Sequence, residues 1–250
     1  MKEALGDRMK NDYENRSRYT LPRRSYTIVR VDGRSFHTYT QDLKRPFDDD
    51  FITDMDATAA YLCQNMSGAR CAFVQSDEIS VLLTDFDNIG TNAWFDNNLQ
   101  KICSISAAMA TAAFNNCRIR RHLANNSTLP DDFKMAEFDS RVFQIPSKSE
   151  TENYFIWRQQ DTTRNSIASV AQSLYTHEAL SGKTANQQQE MIFKKGVNWN
   201  DFETKYKRWR LIVQEFFERY GASRSRWVSR EIPIFTQERA FLAELIPDNV

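Results

Sequence analysis

Histidine and cysteine are scarce in this chain of 250 residues: there are three of one and four of the other, and Cys63, Cys71, Cys103 and Cys117 show no CxxC spacing. That leaves no zinc motif and no disulfide framework, and a reduced, cytosolic (cytoplasmic) protein is the expectation. Only seven glycines and six prolines, with no low-complexity tract or internal repeat, argue against solenoids and long linkers and for a compact fold. No apolar run approaches the ~20 residues of a membrane helix. The opening MKEALGDRMKNDYENRSRY is charged rather than apolar, so neither a membrane span nor a leader is expected. Net charge is missing too: 33 basic residues cancel 33 acidic ones, which removes the usual warrant for nucleic-acid binding.

The cancellation hides an uneven distribution. Between Pro46 and Asp87 the only basic residue is Arg70, amid Asp48, Asp49, Asp50, Asp54, Asp56, Asp77, Glu78, Asp85 and Asp87. Later, Lys205, Lys207, Arg208, Arg210, Arg224, Arg226 and Arg230 face few acids. One half has the charge to hold metal and the other the charge to hold phosphate.

In VRVDGRSFHTYT, residues 29–40, a strand of about 26–31 stops at Asp32-Gly33 and loses its alternation at Ser35-Phe36-His37. Asp48 to Asp50 offer N-caps for a helix of about 49–66, marked by Phe51, Met55, Leu62 and Met66 and stopped at Ser67-Gly68. Two apolar runs, 71–75 and 79–84, flank Ser76-Asp77-Glu78, a hairpin signal with carboxylates at its tip. A second helix is predicted over 94–115, and a strand over 140–145 closes at Pro146. Strand, helix, strand, strand, helix, strand is the ferredoxin-like βαββαβ order of an α+β fold. The division expected is a catalytic region over 1–147 and a mostly helical half over 148–250, packed onto it rather than independent.

In such a sheet the first strand lies beside the third, so Asp32 meets Asp77 at the hairpin tip. Two close carboxylates resist joint ionisation unless cations neutralise them. With the Gly33 carbonyl they describe a magnesium site of the two-metal type, the glycine letting the backbone turn toward the ion. An ordinary Asp-Gly turn and a solvated hairpin tip are the plainer account of each alone. Gly182-Lys183-Thr184 is no P-loop, because His177 stands where the first glycine belongs; a helix start is preferred. A packing role is the commoner reading of the lone His37, and a solvated helix end that of His122.

VDGRSFHTYT, LKRPFDDD, QSDEISVLL, LQKICSISAA, FDSRVFQIP, WRQQD and GVNWNDFETKYKR, in this order between Arg16 and Ile212, resemble the tRNA-histidine guanylyltransferase family. The likeness is greatest to its bacterial-type branch of 3′-to-5′ polymerases. The resemblance implies a polymerase-type palm that adds nucleotides to the 5′ end of tRNA or tRNA-like RNA, a nucleoside triphosphate first activating a 5′-monophosphate. It implies two or more Mg²⁺ ions on Asp32, Gly33 and Asp77, with ATP and GTP as substrates. Arg34, Ser35, Phe36 and His37 would lie along the triphosphate, Ser76 would touch nucleotide and Lys101 phosphate. Homo-tetramers are common in the family.

Three departures stand out. Asn98 replaces an arginine that many members carry, and Arg45 replaces a lysine before proline. Thr163-Arg164-Asn165-Ser166 stands where guanylyltransferases proper carry His-Ile-Asn-Asn. That last departure favours the branch that repairs 5′-truncated tRNA over histidine-tRNA-specific guanosine addition. The helical half is expected to grip RNA through Arg158, Arg164, Asn165, Lys205, Lys207 and Arg208, with Trp157, Trp199, Trp209 and Trp227 as candidate stacking platforms. Two rivals stay open: a palm-fold nucleotide cyclase or signalling-nucleotide synthase, and an RNA-binding protein that has lost turnover. The Lys205–Arg210 cluster speaks against the first, the retention of Asp32 and Asp77 against the second.

Overall fold

The computed structural model describes residues 4–249. Helix α1 (Leu5–Asp12) comes first, followed by β1 (Tyr26–Gly33), the single turn α2 (Phe36–Tyr39) and α3 (Asp49–Asn65). β2 (Ala69–Gln75), β3 (Glu78–Leu83), α4 (Leu99–Asn125) and β4 (Phe138–Ile145) continue the chain. Beyond them lie α5 (Lys148–Leu174), α6 (His177–Leu180), α7 (Ala185–Lys194), α8 (Thr204–Lys207), β5 (Arg210–Arg219), β6 (Ala222–Glu231) and α9 (Arg239–Leu245). The fold is mixed α+β around one antiparallel sheet of six strands, in the order β4-β1-β3-β2-β5-β6.

Both faces of the sheet are covered, which is why its central strands read as nearly unbroken apolar runs. Val29 and Val31 of β1 pack with Met55 and Leu62 of α3 and with Ile102 and Phe114 of α4. Ile28, on the other side of the same strand, packs with Phe155 of α5 and Leu242 of α9. A third cluster holds the far half of α5 against α6 and α7 through Ile167, Val170, Leu180 and Ile192.

Local chemistry sets the element ends. The Asp48 carboxylate caps α3 by accepting the Phe51 N–H at 2.8 Å. Thr184 starts α7 with a reciprocal capping box to Gln187, the helix start preferred over a P-loop. The helix expected from residue 94 begins only at Leu99, because Phe95, Asp96 and Asn97 are left-handed (φ +51° to +56°). Asn98 is its N-cap, accepting the Lys101 N–H at 2.9 Å.

The expectation of a mostly helical second half needs correcting from residue 210 onward. β5 pairs with β2 over Cys71–Val74, and β6 pairs with β5 throughout, so this segment extends the sheet. Arg210 to Val213 are all buried, since both faces are covered there. Beyond Val213 the hairpin runs past β2 and is mostly exposed.

Candidate functional site

Asp32 is the penultimate residue of β1, opposite Glu78 of β3 and Asp139 of β4. Ser76 and Asp77 form the turn between β2 and β3, with Ser76 left-handed at φ +48°. The Gly33 N–H donates to the Asp77 carbonyl at 3.2 Å, which fastens the turn to the end of β1. Asp32 and Asp77 therefore meet at one end of the sheet, as the sequence led one to expect. Both line a cavity of about 560 Å³ shared with His37, Lys44, Arg45, Asp161, Asn165 and Trp209. Asp32, Asp77 and the backbone around Gly33 are hard oxygen donors at this end of the sheet, with Glu78 beside them on the cavity wall.

The electrostatics of the two carboxylates differ. Burial pushes the Asp77 carboxyl up to about 6, and the charge on Asp32 adds to the effect; only its own backbone N–H and the Ser76 hydroxyl oppose it. Asp32 instead accepts a hydrogen bond from the Arg141 guanidinium at 3.2 Å. Burial raises Glu78 as well, while Arg158 and Arg30 hold it back. Half-buried Asp77 is thus the group with most to gain from a bound cation.

Gly33 also makes room for a neighbouring ring. Its φ is not left-handed, yet a Cβ there would fall 2.2 Å from the Phe36 ring. Phe36 is buried among Tyr39, Phe51, Phe114 and Phe138, so the missing side chain is what lets that ring anchor the segment after β1. Ser35 is left-handed at φ +55°, and His37 is exposed to the cavity. Arg34 turns away from it, exposed and paired with Glu137 at 2.5 Å.

Lys101 is not among the residues that line this cavity. It lies on the first turn of α4, beside the segment leading into β1: Leu21 N–H donates to the Asn97 carbonyl at 3.0 Å, and Leu99 N–H to that of Tyr19 at 2.9 Å.

The expected RNA contacts separate. Arg158 is buried, pairs with Glu78 at 2.9 Å and lies on the wall of the same cavity. Arg164 is exposed beside Asp161 at 2.8 Å, and Asn165 lines the cavity. Lys205 pairs with Asp49 at 3.0 Å, and Lys207 donates to the Asn200 carbonyl. Trp199 and Trp209 are core residues and Trp227 is half-buried, which leaves Trp157 exposed. Arg141, which sequence reasoning missed, sits two residues beyond Asp139 on the strand beside β1; only strand register could have revealed it.

A model of the Thg1 family, tRNAHis guanylyltransferase, matches residues 6–146, more than half of the chain. The chain belongs to the tRNAHis guanylyltransferase family. Its fold is close to that of a solved bacterial tRNA(His) guanylyltransferase (Thg1)-like protein in complex with ATP: 42% identity, TM-score 0.86, covering 98% of this chain and 99% of that one. A second such structure, in complex with GTP, is 41% identical with a TM-score of 0.80 over the same shares. An uncharacterized protein of Acanthamoeba polyphaga mimivirus is 29% identical over 188 residues, 69% of this chain, and the match spans 64% of the mimivirus protein's length. Members of the family carry the name of a nucleotidyltransferase, and the carboxylate end of the sheet lies within the matched region.

Proposed function

We propose that this family member is a template-directed 3′-to-5′ nucleotidyltransferase that adds nucleotides to the 5′ end of tRNA, and that its natural chemistry is repair of 5′-truncated acceptor stems. The observation that carries the reading is the meeting of Asp32 and Asp77 at the mouth of a cavity that also presents His37, Lys44 and Arg45. Strand order β4-β1-β3-β2 supports reading residues 1–147 as a ferredoxin-like palm, with the following helices as its partner layer. The likeness to ATP- and GTP-bound relatives supports nucleoside triphosphates as ligands of this cavity.

The donor set suits magnesium. That ion keeps waters and substrate phosphates in much of its shell and needs only one or two carboxylates from the protein. Among the described residues no three His, Cys, Asp or Glu side chains form a closed cage; Asp32 and Asp77, with the Gly33 carbonyl, would hold the ions. The chemistry magnesium supplies at such a site is neutralisation of the charge that develops on the transferred phosphorus and the departing pyrophosphate. The protein's own task is positioning. Phe36 anchors the segment that places His37 at the cavity wall, and Lys44 and Arg45 set positive charge where a triphosphate would lie. RNA would approach along Arg164, Asn165 and the Lys205–Arg208 stretch.

The test is incubation with 5′-truncated tRNAs, labelled nucleotides and magnesium, reading product length. Refilling to full length on several tRNAs is expected, with the triphosphate switching when the opposing acceptor base is changed. Asp32→Ala and Asp77→Ala should abolish addition while leaving the melting curve cooperative. Addition of guanosine alone, only to histidine tRNA and regardless of the template base, would assign the chain to the other activity of the family. Near-normal extension by Asp77→Ala would overturn the site itself.

A further inference from the structure

The turn that carries Asp77 has two legs, Gln75 at the end of β2 and Glu78 at the start of β3, and they face each other in register. One stretch of α5 grips both. The Arg158 Nη2 donates to Gln75 Oε1 at 3.1 Å and to Glu78 Oε2 at 2.9 Å. One turn further along α5, the Thr162 hydroxyl shares its proton between the same Gln75 oxygen at 2.6 Å and the Arg158 carbonyl at 2.8 Å. Asp161 braces the guanidinium from its other side at 3.3 Å. Gln75, Arg158 and Thr162 are all buried, so these bonds sit in a low-dielectric setting on the cavity wall where they are strengthened. Arg30 approaches Glu78 at 3.9 Å, and the Ser80 hydroxyl donates to it at 3.3 Å.

This clamp surrounds a turn that needs one. Ser76 is a non-glycine residue in the left-handed region, a conformation that persists only where its surroundings over-determine it. Neither Gln75 nor Glu78 can shift without breaking a buried, charge-assisted contact. Released from the clamp, the turn would relax toward commoner torsions and swing the Asp77 carboxylate off its line with Asp32.

We propose that Arg158 is a positioning residue for Asp77: it bridges both legs of the turn from α5 and thereby fixes the carboxylate pair in cation-binding geometry. The inference rests on the proposed role of Asp32 and Asp77. A lysine in its place keeps the charge beside Glu78 but lacks the planar fork that reaches two acceptors in one geometry. Thr162→Val loosens the other hold on Gln75 at nearly constant volume.

The experiment measures Mn²⁺ binding by electron paramagnetic resonance, thermal melts, and kcat and KM for RNA extension in the full chain, for wild type, Arg158→Lys and Thr162→Val. Expected are cooperative melts in both variants. Mn²⁺ binding should be about tenfold weaker in Arg158→Lys and a few-fold weaker in Thr162→Val, with kcat falling alongside and KM for RNA within about twofold of wild type. Wild-type Mn²⁺ affinity in both variants would overturn the inference. So would an affinity loss in Arg158→Lys explained wholly by its unfolded fraction while Thr162→Val stays unchanged. If the wild-type chain binds Mn²⁺ but extends no RNA, the proposed function falls while the Mn²⁺ comparison still decides the clamp; a wild-type chain that binds no Mn²⁺ overturns both.

Discussion

Replacing Gly33 by alanine tests how the end of β1 is built. The added Cβ would lie 2.2 Å from Cδ2 of Phe36, 2.5 Å from Cε2 and 2.6 Å from Cγ. Carbon atoms in ordinary contact stay at least 3.4 Å apart, so the ring has to retreat by more than 1 Å. It has nowhere to go: ring centroids of Tyr39, Phe138, Phe114 and Phe51 stand 4.8, 5.1, 5.9 and 6.1 Å away. Overpacking of a filled core costs about 1–3 kcal/mol, and the upper half of that range applies to a ring so hemmed in. For a chain of this size that is a fall in Tm of about 4–12 °C. Phe36→Leu alone should cost about 1 kcal/mol, and in the double variant the smaller side chain vacates the space the new methyl needs. Urea melts of the four proteins form a cycle, and a coupling of at least ~1 kcal/mol in the relieving direction is expected. Additive losses, or a Gly33→Ala chain within about 0.5 kcal/mol of wild type, would refute the argument that Gly33 exists to seat Phe36.

Two further outcomes follow from charge. In chelator, the folded Asp77 carboxyl titrates near 6 against 3.8 for the free group. The folded chain therefore holds the extra proton between those values, and stability falls as pH rises through that window, by about 1–2 kcal/mol for a group that keeps some solvent. Asp77→Asn should melt higher than wild type at pH 7 in chelator and equal to it near pH 3.5; an offset independent of pH would contradict this. Truncated-tRNA binding should weaken steeply with salt, and neutralising Lys205, Lys207 and Arg208 together should flatten log Kd against log salt by at most about 2–3 units. Lys205 already pairs with Asp49, so Arg208 should account for the largest single share, and an unchanged slope would move the RNA grip elsewhere.

The meeting of Asp32 with Asp77 was legible because two short apolar runs around a polar turn fix a hairpin locally: 71–75 and 79–84 were read within two residues of β2 and β3. β5 and β6 were missed for two reasons. Strand β5 is buried on both faces at its start and exposed on both near its end, so it never alternates over its whole length. Its remaining signal is Tyr220-Gly221, both at positive φ (+54° and +72°), a tight hairpin turn that a single glycine only hints at. The fate of Arg158 was unreadable for another reason. Whether an arginine on a helix meets phosphate or a buried glutamate depends on which face that helix turns to the sheet, and Glu78 lies far from it in sequence.

Strand β2 lies between β3 and β5, and that arrangement bears on how the protein is made. Asp32 and Asp77 leave the ribosome early, but β2 then presents a bare edge, and the face holding Phe73 lacks the cover later provided by Leu211, Phe235 and Leu242. The Tyr26 hydroxyl finds its acceptor only in the carbonyl of Pro247, at 2.8 Å, and the Asn249 amide returns to the carbonyl of Arg24 at 2.8 Å. Until residues 210–249 have docked, the β2 edge beside the turn that carries Asp77 stays unpaired. That edge is then the feature most prone to pair with another chain edge to edge.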